Sequence, residues 1–218
     1  MPIGRRQELL RWAEETGGVL IEDDYDSELR FSGRPIPPLQ SIDSAEKVIY
    51  INTFSKTLAP TFRISYMVLP AHLASLFYEK LGFYSCTVSN FEQFTLAKFI
   101  EDGYFERHIN RMRTYYRTKR DRLLHYLATC KAAPALTVEG ENSGLHFLLH
   151  LATQASDTTL TQAALAQGIQ IKFLSDYYHA KTSDRSHTLL MNYTGLPDDE
   201  LYPALEALFS ALEPYLEL

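Results

Sequence analysis

The chain has few of the features that mark secreted or membrane-bound proteins. Its 218 residues include only two cysteines, Cys86 and Cys130, which is too few for a disulfide framework. No apolar run approaches the roughly 18 residues of a membrane-spanning helix. The N-terminal residues up to Gly17 and Gly18 form the pattern of an amphipathic helix and not of a signal peptide. We therefore expect a cytoplasmic protein with reduced thiols and no membrane partner.

Sequence signatures of several other function classes are also absent. The chain contains no GxSxG, Walker loop or CxxC motif, so hydrolase, nucleotide-binding and zinc-binding functions have no support. His146 and His150 stand four residues apart, but no carboxylate or cysteine accompanies them in the sequence, which favours a structural role. The net charge of −6 argues against a nucleic-acid-binding surface over the chain as a whole.

One segment does have a strongly basic pattern. Residues 107–120, RHINRMRTYYRTKR, carry two tyrosines among the cations, so a nucleic-acid contact is one interpretation. The alternative is a long helix with a solvated basic face and with Ile109, Met112 and Tyr116 turned to the core. The spacing of these apolar residues favours the helix.

The order of helical and strand patterns predicts an α/β protein with two lobes. Buried strands are expected at VLI (19–21), VIYINTF (48–54) and ISYMVLP (64–70), and two of them end in polar residues, as strands do in sheets covered by helices. A long helical stretch follows residue 90 and is expected to break near Gly103. Beyond it, strands at LTVEG, GLHFLLHL, IQIKFL and TLLMNYTG alternate with helices, and PDDE at 197–200 predicts the start of a final helix.

Lys56 lies in an unusual setting at the end of the second predicted strand. Thr53, Ser55 and Thr57 surround it with hydroxyl groups, and Arg63 follows as a cation that can bind a phosphate in bidentate fashion. Asp23 and Tyr25 end the neighbouring predicted strand, so we expect them to face the same pocket. A lysine in a polar loop is ordinarily only solvated, and these neighbours are what favour a chemical role.

Together these residues match the needs of pyridoxal phosphate. That cofactor needs an amine to bond its aldehyde, a carboxylate to keep its pyridine nitrogen protonated, and hydroxyls with a cation for its phosphate. The amine must also be kept partly unprotonated by burial or by a nearby positive charge. Asp24, Asp26 and Glu28 are expected to be solvated or capping acids on the turn after the strand.

Two segments, LIEDDYDSELRFSGRPIPPLQ and VIYINTFSKTLAPTFRISYMVLP, resemble the aminotransferase-like domain of MocR-type regulators, a subgroup of the GntR transcription factors. The resemblance continues through FEQFTLAKFIEDGYFERHINRMRTYYRTKRDRLL and SGLHFLLHL to LLMNYTGLPDDEL. It implies a fold-type I pyridoxal-phosphate-dependent transferase fold. Residues 1–105 would be the C-terminal half of the large cofactor-binding domain, with a mainly parallel sheet. Residues 106–218 would be the bridging helix and a small α+β domain.

The resemblance also implies a role for each site residue. Lys56 would be the Schiff-base lysine and the catalytic residue. Asp23 would pair with the pyridine nitrogen and Tyr25 would approach the ring hydroxyl. The residues that would hold the phosphate are Thr53, Ser55 and Arg63.

The same resemblance implies partners outside this chain. Relatives begin with a winged helix-turn-helix domain and the first half of the aminotransferase fold, so DNA would be bound only through that N-terminal domain. The full protein would be a homodimer that senses an amine or amino-acid effector. Transaminases of this fold place an arginine in the strand near the C-terminus, whereas SHTLLMNYTG has none and Arg185 lies just upstream.

Three functions therefore stay open at this point. The chain is either part of a sensor domain of a transcriptional regulator, or part of a free-standing aminotransferase acting on an amino acid, or a lobe that takes no cofactor by itself. Whether an aminotransferase-like domain of this kind still catalyses transamination is left open by the sequence.

Overall fold

A computed structural model describes residues 1, 3–24, 26–31, 37–59, 61–142, 144–179 and 186–218. The chain forms two compact units. The first unit comprises Met1–Glu28 and Gly33–Arg111, and the second comprises Leu29–Ser32 and Met112–Leu218. Each unit has its own three-stranded sheet.

The first unit contains a mixed sheet with strand order β1-β2-β3. β1 (Leu20–Asp24) and β2 (Val48–Thr53) are parallel, and β3 (Ser65–Val68) is antiparallel to β2. The unit also contains α1 (Ile3–Thr16), α2 (Ala71–Leu81) and α3 (Asn90–Glu101). The three predicted strands are therefore present, and the described part of the sheet has one parallel and one antiparallel pair. The prediction that all three are buried is wrong, because Val19, Ile21 and every residue of β3 are exposed among the described residues.

Side chains of Glu22 and Asp43 fix the connection between β1 and β2. The Glu22 carboxylate accepts hydrogen bonds from the backbone nitrogens of Leu39 at 2.8 Å and Gln40 at 3.1 Å. Asp43 accepts from the nitrogens of Lys47 at 2.6 Å and Val48 at 2.8 Å, just where β2 begins. These contacts satisfy backbone donors that the sheet ladder does not reach, and they set where β2 starts beside β1.

The long helical stretch is broken at Gly103, as the sequence predicts. Gly103 has a φ of +72°, a conformation that costs a residue with a Cβ atom about 1 kcal/mol or more. α3 therefore ends at Glu101 and α4 begins at Tyr104, continuing to Thr129 across the division between the two units.

The second unit contains an antiparallel sheet with strand order β4-β5-β6. Its strands are β4 (Leu136–Glu139), β5 (His146–Leu151) and β6 (Thr188–Asn192). α5 (Asp157–Ala166) and α6 (Leu201–Leu212) complete the unit. Alternate residues of β5 are buried, and they join side chains of α4, α5 and α6 in one core. Fully buried members of this core include Leu123, Phe147, Leu149, Leu160, Leu189, Leu201 and Leu212.

The predicted strand at IQIKFL is wrong. Within the segment, Phe173 forms an isolated bridge to Leu189, and the Lys172 carbonyl accepts from the Leu190 nitrogen at 2.9 Å. The chain then turns into a short 3-10 helix at Leu174–Tyr177. The alternation of apolar residues reflects the burial of Ile171 and Phe173 in the core and not a continuous ladder.

The basic segment is helical, and its cations are only partly solvated. Ile109 is buried and Tyr116 packs against the core of the second unit, as predicted. However, Lys119 and Arg120 are buried as well, because each has polar partners at its charged end. The Arg120 guanidinium hydrogen-bonds the Asp121 carboxylate at 2.6 Å and lies over the Phe31 ring at 4.9 Å.

A search for membrane spans within the described residues finds no helix with the length and apolarity required.

Candidate functional site

The C-terminal ends of β1 and β2 bring Asp23 and Thr53 to one face of the first sheet. Asp23 is in register with Ile51, and the pair is parallel. Because side chains alternate along a strand, Asp23, Ile51 and Thr53 point to the same face. The Asp23 side chain is exposed, so its carboxylate is accessible on that face.

A hydrogen-bonded turn connects β2 to β3 and carries most of the predicted site. The Phe54 nitrogen donates to the Ile64 carbonyl at 3.0 Å, and the Leu58 nitrogen donates to the Phe54 carbonyl at 2.8 Å. The Thr53 hydroxyl donates to the same Ile64 carbonyl at 3.3 Å. Backbone and side chain together therefore hold both ends of this turn.

Three of the predicted residues contact one another within the turn. The Ser55 nitrogen donates to the Thr53 Oγ1 at 3.2 Å, and Arg63 Nη1 donates to the Ser55 Oγ at 3.3 Å. The Ser55 hydroxyl in turn donates to the Phe62 carbonyl at 2.7 Å. Two hydroxyls and a guanidinium therefore lie together. The hydroxyl protons now point to backbone carbonyls, and a rotation of each hydroxyl would turn this group into a donor set suited to a phosphate.

Lys56 is an exposed residue of this turn. It follows Ser55 and precedes the buried Thr57. Within the described residues its ammonium group makes no hydrogen bond and no ion pair, so the side chain is available to a ligand. The structure thus places Lys56, Thr53, Ser55 and Arg63 in one turn and Asp23 on the adjoining strand. Tyr25 lies outside the described residues.

The opposite face of the same strands carries a polar network that sequence reasoning missed. Tyr50 and Asn52 lie on that face, one on each side of Ile51. The Tyr50 hydroxyl donates to the Asp24 carboxylate at 2.9 Å, and the Asn52 amide donates to the Tyr50 oxygen at 2.9 Å and to the Glu28 carboxylate at 3.2 Å. Burial and the neighbouring Asp24 carboxylate raise the pKa of Tyr50, so the phenol keeps its proton.

This network corrects the expectation for the acids after β1. Asp24 and Glu28 are partly buried and hydrogen-bonded, and they are not simply solvated. Asp24 also accepts from the Ser27 hydroxyl at 2.7 Å, which is the capping contact expected of such a turn. One feature of the sequence could have indicated this network: Tyr50 and Asn52 are polar residues at alternate positions of an otherwise apolar strand.

Of the two histidines in the second unit, His150 makes contacts between strands. The expectation that no carboxylate accompanies the pair is wrong. His150 Nε2 lies 2.8 Å from the Glu139 carboxylate and Nδ1 lies 3.0 Å from the Thr188 hydroxyl. These contacts link β4, β5 and β6 side by side. The described residues contain no group of three or more possible ligands that could hold a metal ion. Arg185, considered as a carboxylate-binding residue, lies outside the described residues.

Comparisons of the sequence match nearly the whole chain to known transcriptional regulators. The chain is 41% identical over 216 residues to an uncharacterised HTH-type transcriptional regulator, YhdI, of Bacillus subtilis, covering 99% of the chain and 45% of that protein. It is 33% identical over 207 residues to the probable rhizopine catabolism regulatory protein MocR of Rhizobium meliloti, covering 94% of the chain and 41% of that protein. Along nearly its whole length the chain is therefore similar to MocR-type transcriptional regulators.

The structural comparison shows which fold the chain has. Kynurenine aminotransferase of Pyrococcus horikoshii, solved in complex with PMP, superposes with a TM-score of 0.84 at 27% identity. The match covers 100% of this chain and 53% of the aminotransferase. The chain therefore has the fold of a partial fold-type I aminotransferase-like domain, and it spans less than half the length of the regulators it matches. No family model matches the chain.

Proposed function

We propose that this chain is part of a pyridoxal-phosphate-binding effector domain of a MocR-type transcriptional regulator. The observation that carries the proposal is the turn after β2, where an exposed lysine without a partner among the described residues adjoins Ser55, Thr53 and Arg63. Relatives named as HTH-type regulators support the regulatory role, and an aminotransferase neighbour solved with PMP supports the cofactor.

The residues present fit the proposed cofactor. The hydroxyls of Thr53 and Ser55 and the Arg63 guanidinium would bind its phosphate, and the Asp23 carboxylate would hold a proton at the pyridine nitrogen. Lys56 would bond the aldehyde carbon, with Tyr25 near the ring hydroxyl. When bound, pyridoxal phosphate supplies an electron sink and an aldehyde that reacts with amines.

An amine or amino-acid effector would act through Lys56. By competing with Lys56 for the cofactor aldehyde, the effector would release the lysine side chain and change the contacts that the turn makes. A ligand shifts a conformational equilibrium only by its differential affinity for the two states. Here the two states would differ in whether Lys56 is bonded to the cofactor or released from it. The signal would pass to DNA through an N-terminal winged-helix domain.

We further propose how the parts of the whole protein are arranged. Residues 1–105 would belong to the large cofactor-binding domain, and residues 106–218 to the bridging helix and the small domain. The full-length protein would be a cytoplasmic homodimer. A free-standing aminotransferase is the alternative, and it is supported by the aminotransferase likeness of the fold. The higher identity to regulators favours the effector domain.

The test is covalent labelling of Lys56 in the full-length protein that contains this chain. After incubation with pyridoxal phosphate and reduction with borohydride, mass spectrometry should find the phosphopyridoxyl group on Lys56. The Lys56→Ala variant should lose both the label and the visible absorbance of the bound cofactor. Lys80→Ala removes an exposed lysine of α2 from the same unit and should retain both.

A label found elsewhere, or a Lys56→Ala protein that keeps the visible band, would contradict the proposal. The regulatory part is tested separately by measuring binding to the protein's own upstream DNA with and without added amines. An amine-dependent change in DNA affinity that is lost in Lys56→Ala supports the effector role. Transamination of amino acids without any DNA binding supports the enzyme instead.

A further inference from the structure

The ladder between β1 and β2 ends at the pair formed by Asp24 and Asn52. The residues that follow β1 therefore have no further rung in this ladder to hold them beside β2. In the described residues, side chains continue the connection instead, since Asn52 Nδ2 bonds Glu28 at 3.2 Å and the Tyr50 hydroxyl bonds Asp24 at 2.9 Å. This connection lies on the face opposite Asp23 and Thr53.

Asn52 is the centre of this connection. Its side chain is buried, with 3% exposed, and all its polar groups have partners. The amide nitrogen donates both to the Tyr50 oxygen and to the Glu28 carboxylate. The amide oxygen accepts from the backbone nitrogen of Thr53 at 2.5 Å. Asn52 thus bonds both the segment after β1 and the first residue of the proposed phosphate-binding group.

The hydrogen-bond directions leave little freedom to this cluster. The Tyr50 hydroxyl donates its only proton to Asp24, so its oxygen is an acceptor for Asn52. The Glu28 carboxylate is an acceptor, and it fixes the second amide proton. In this partly buried network each of these donors has an acceptor, and removing the Asn52 amide takes one hydrogen bond from the Tyr50 oxygen and one from the Glu28 carboxylate.

We propose that Asn52 is a positioning residue for Lys56. The ladder between β1 and β2 sets the distance between the Asp23 carboxylate and the groups of the turn. By tying the segment after β1 to the strand that leads into the lysine turn, Asn52 holds the ends of both strands at that distance. The bond of Lys56 to an aldehyde depends on this distance, because the ring nitrogen and the aldehyde lie at separate points of one rigid cofactor. This inference rests on the proposed function and adds a residue that touches none of the reacting atoms.

The test compares Asn52→Leu and Tyr50→Phe with a matched control. Asn52→Leu keeps most of the volume and removes both donors and the acceptor, whereas Tyr50→Phe removes only the hydroxyl. Val48→Ala alters a buried residue of the same strand, with 1% of its surface exposed, and leaves the polar network intact. All variants are made in the native-length polypeptide, and their free energies of unfolding are measured first.

Three readouts separate positioning from loss of stability. Asn52→Leu should weaken the affinity for pyridoxal phosphate at Lys56 by about 10- to 100-fold, since two buried groups lose partners. It should also change the visible circular dichroism of the bound cofactor. Tyr50→Phe should show a smaller effect in the same direction. In the cofactor-free protein, amide hydrogen exchange of residues 26–31 should speed up in Asn52→Leu and not in Val48→Ala.

The outcomes also distinguish this inference from the proposed function. If borohydride labelling does not fall on Lys56 in the unaltered protein, the proposed function fails and the positioning role fails with it. If the label does fall on Lys56 but Asn52→Leu binds the cofactor with unchanged affinity and spectrum, only the positioning role is overturned. The same holds if the loss of affinity in Asn52→Leu matches that of Val48→Ala at equal stability.

Discussion

At the scale of single residues, the buried lysine of α4 illustrates how a charge is accommodated in the second unit. Lys119 is 2% exposed, and its ammonium group donates to the Leu196 carbonyl and lies 3.2 Å from the Asp198 carboxylate. The Tyr115 hydroxyl also donates to Asp198 at 3.0 Å. Hydrogen bonds from Tyr115 and Lys119 lower the pKa of Asp198, so these groups bind its charged form. The cluster joins α4 to the segment that leads into α6.

We expect Lys119→Met to lower the free energy of unfolding by about 1–3 kcal/mol, because the Leu196 carbonyl would lose its buried partner. Lys131→Met makes the same chemical change at an exposed position and should fall within about 0.5 kcal/mol of the unaltered protein. Urea unfolding at neutral pH measures both. Equal free energies of unfolding for the two variants would show that the buried ammonium group of Lys119 does not stabilise the fold.

The sequence identified the candidate site but not the residues that support it. Lys56, Ser55 and Arg63 could be found because hydroxyls and cations around a lysine at a strand end are unusual, and because the surrounding letters resemble a known family. Asn52 and Lys119 could not be found in that way. Their importance comes from burial and from partners 24 and 77 residues away in the chain, and neither is visible in a local pattern.

At the scale of elements, Asp157 holds the start of α5 against the end of the segment before β6. Its carboxylate accepts from the Ser175 hydroxyl at 2.6 Å, from the Ser186 nitrogen and hydroxyl at 2.8 Å each, and from the His187 nitrogen at 3.0 Å. Burial raises the pKa of Asp157, but these hydrogen bonds outweigh burial and the net pKa is lowered. His187 has a φ of +49°, a conformation that the bond to Asp157 helps to hold.

The lowered pKa of Asp157 gives the second unit a pH-dependent stability. Stability from this group is fully present above the unfolded pKa of about 3.9 and is lost as the pH falls through the lower folded pKa. We expect Asp157→Asn to have a lower free energy of unfolding at pH 7. Between pH 5 and pH 2 its free energy of unfolding should fall less steeply with pH, by at most the slope that the binding of about one proton contributes. Thermal unfolding across that range tests this.

Asp199→Asn, which changes an exposed acid, is the control for Asp157→Asn and should keep the pH profile of the unaltered protein. If the stability of Asp157→Asn changes with pH in parallel with that of the unaltered protein, Asp157 is not the source of the pH dependence.

Elements with a clear period or a clear stop were predicted well. The helix at Ile3–Thr16 and the break at Gly103 follow from the local sequence, because an amphipathic period and a glycine act on their immediate neighbours. The segment at IQIKFL was mistaken for a strand because Ile171 and Phe173 are buried at alternate positions. The number of ladder bonds depends on the path of the neighbouring strand, which alternation alone does not reveal.

At the scale of the molecule, the first unit exposes many large apolar side chains. Tyr78, Phe83, Phe91 and Phe94 are each at least 74% exposed. Exposed apolar patches of this kind mark surfaces that bind other polypeptide. An overall apolar content of 45% is ordinary and gave no sign of this surface, since composition does not say which apolar residues are left uncovered.

We expect the 218-residue chain, expressed alone, to self-associate through this surface. The double variant Phe91→Ser with Phe94→Ser should shift the association midpoint to about tenfold higher concentration, because two exposed aromatic side chains no longer bury apolar area. Leu165→Ser with Tyr177→Ser changes two residues of the second unit that are each 61% exposed and serves as the control. Sedimentation velocity over a range of concentrations measures association, and equal behaviour of both double variants would exclude the aromatic surface.

The acidic end of β1 also bears on how the molecule avoids fibril formation. In the described residues β1 pairs only with β2, so its other edge could in principle recruit a strand from a second copy. The strand carries three consecutive acids, Glu22, Asp23 and Asp24, and two such edges would bring six negative charges together. Charge on an edge strand opposes this kind of pairing. Asp23, the carboxylate proposed to serve the cofactor, would then also oppose the pairing of β1 with a strand of a second copy.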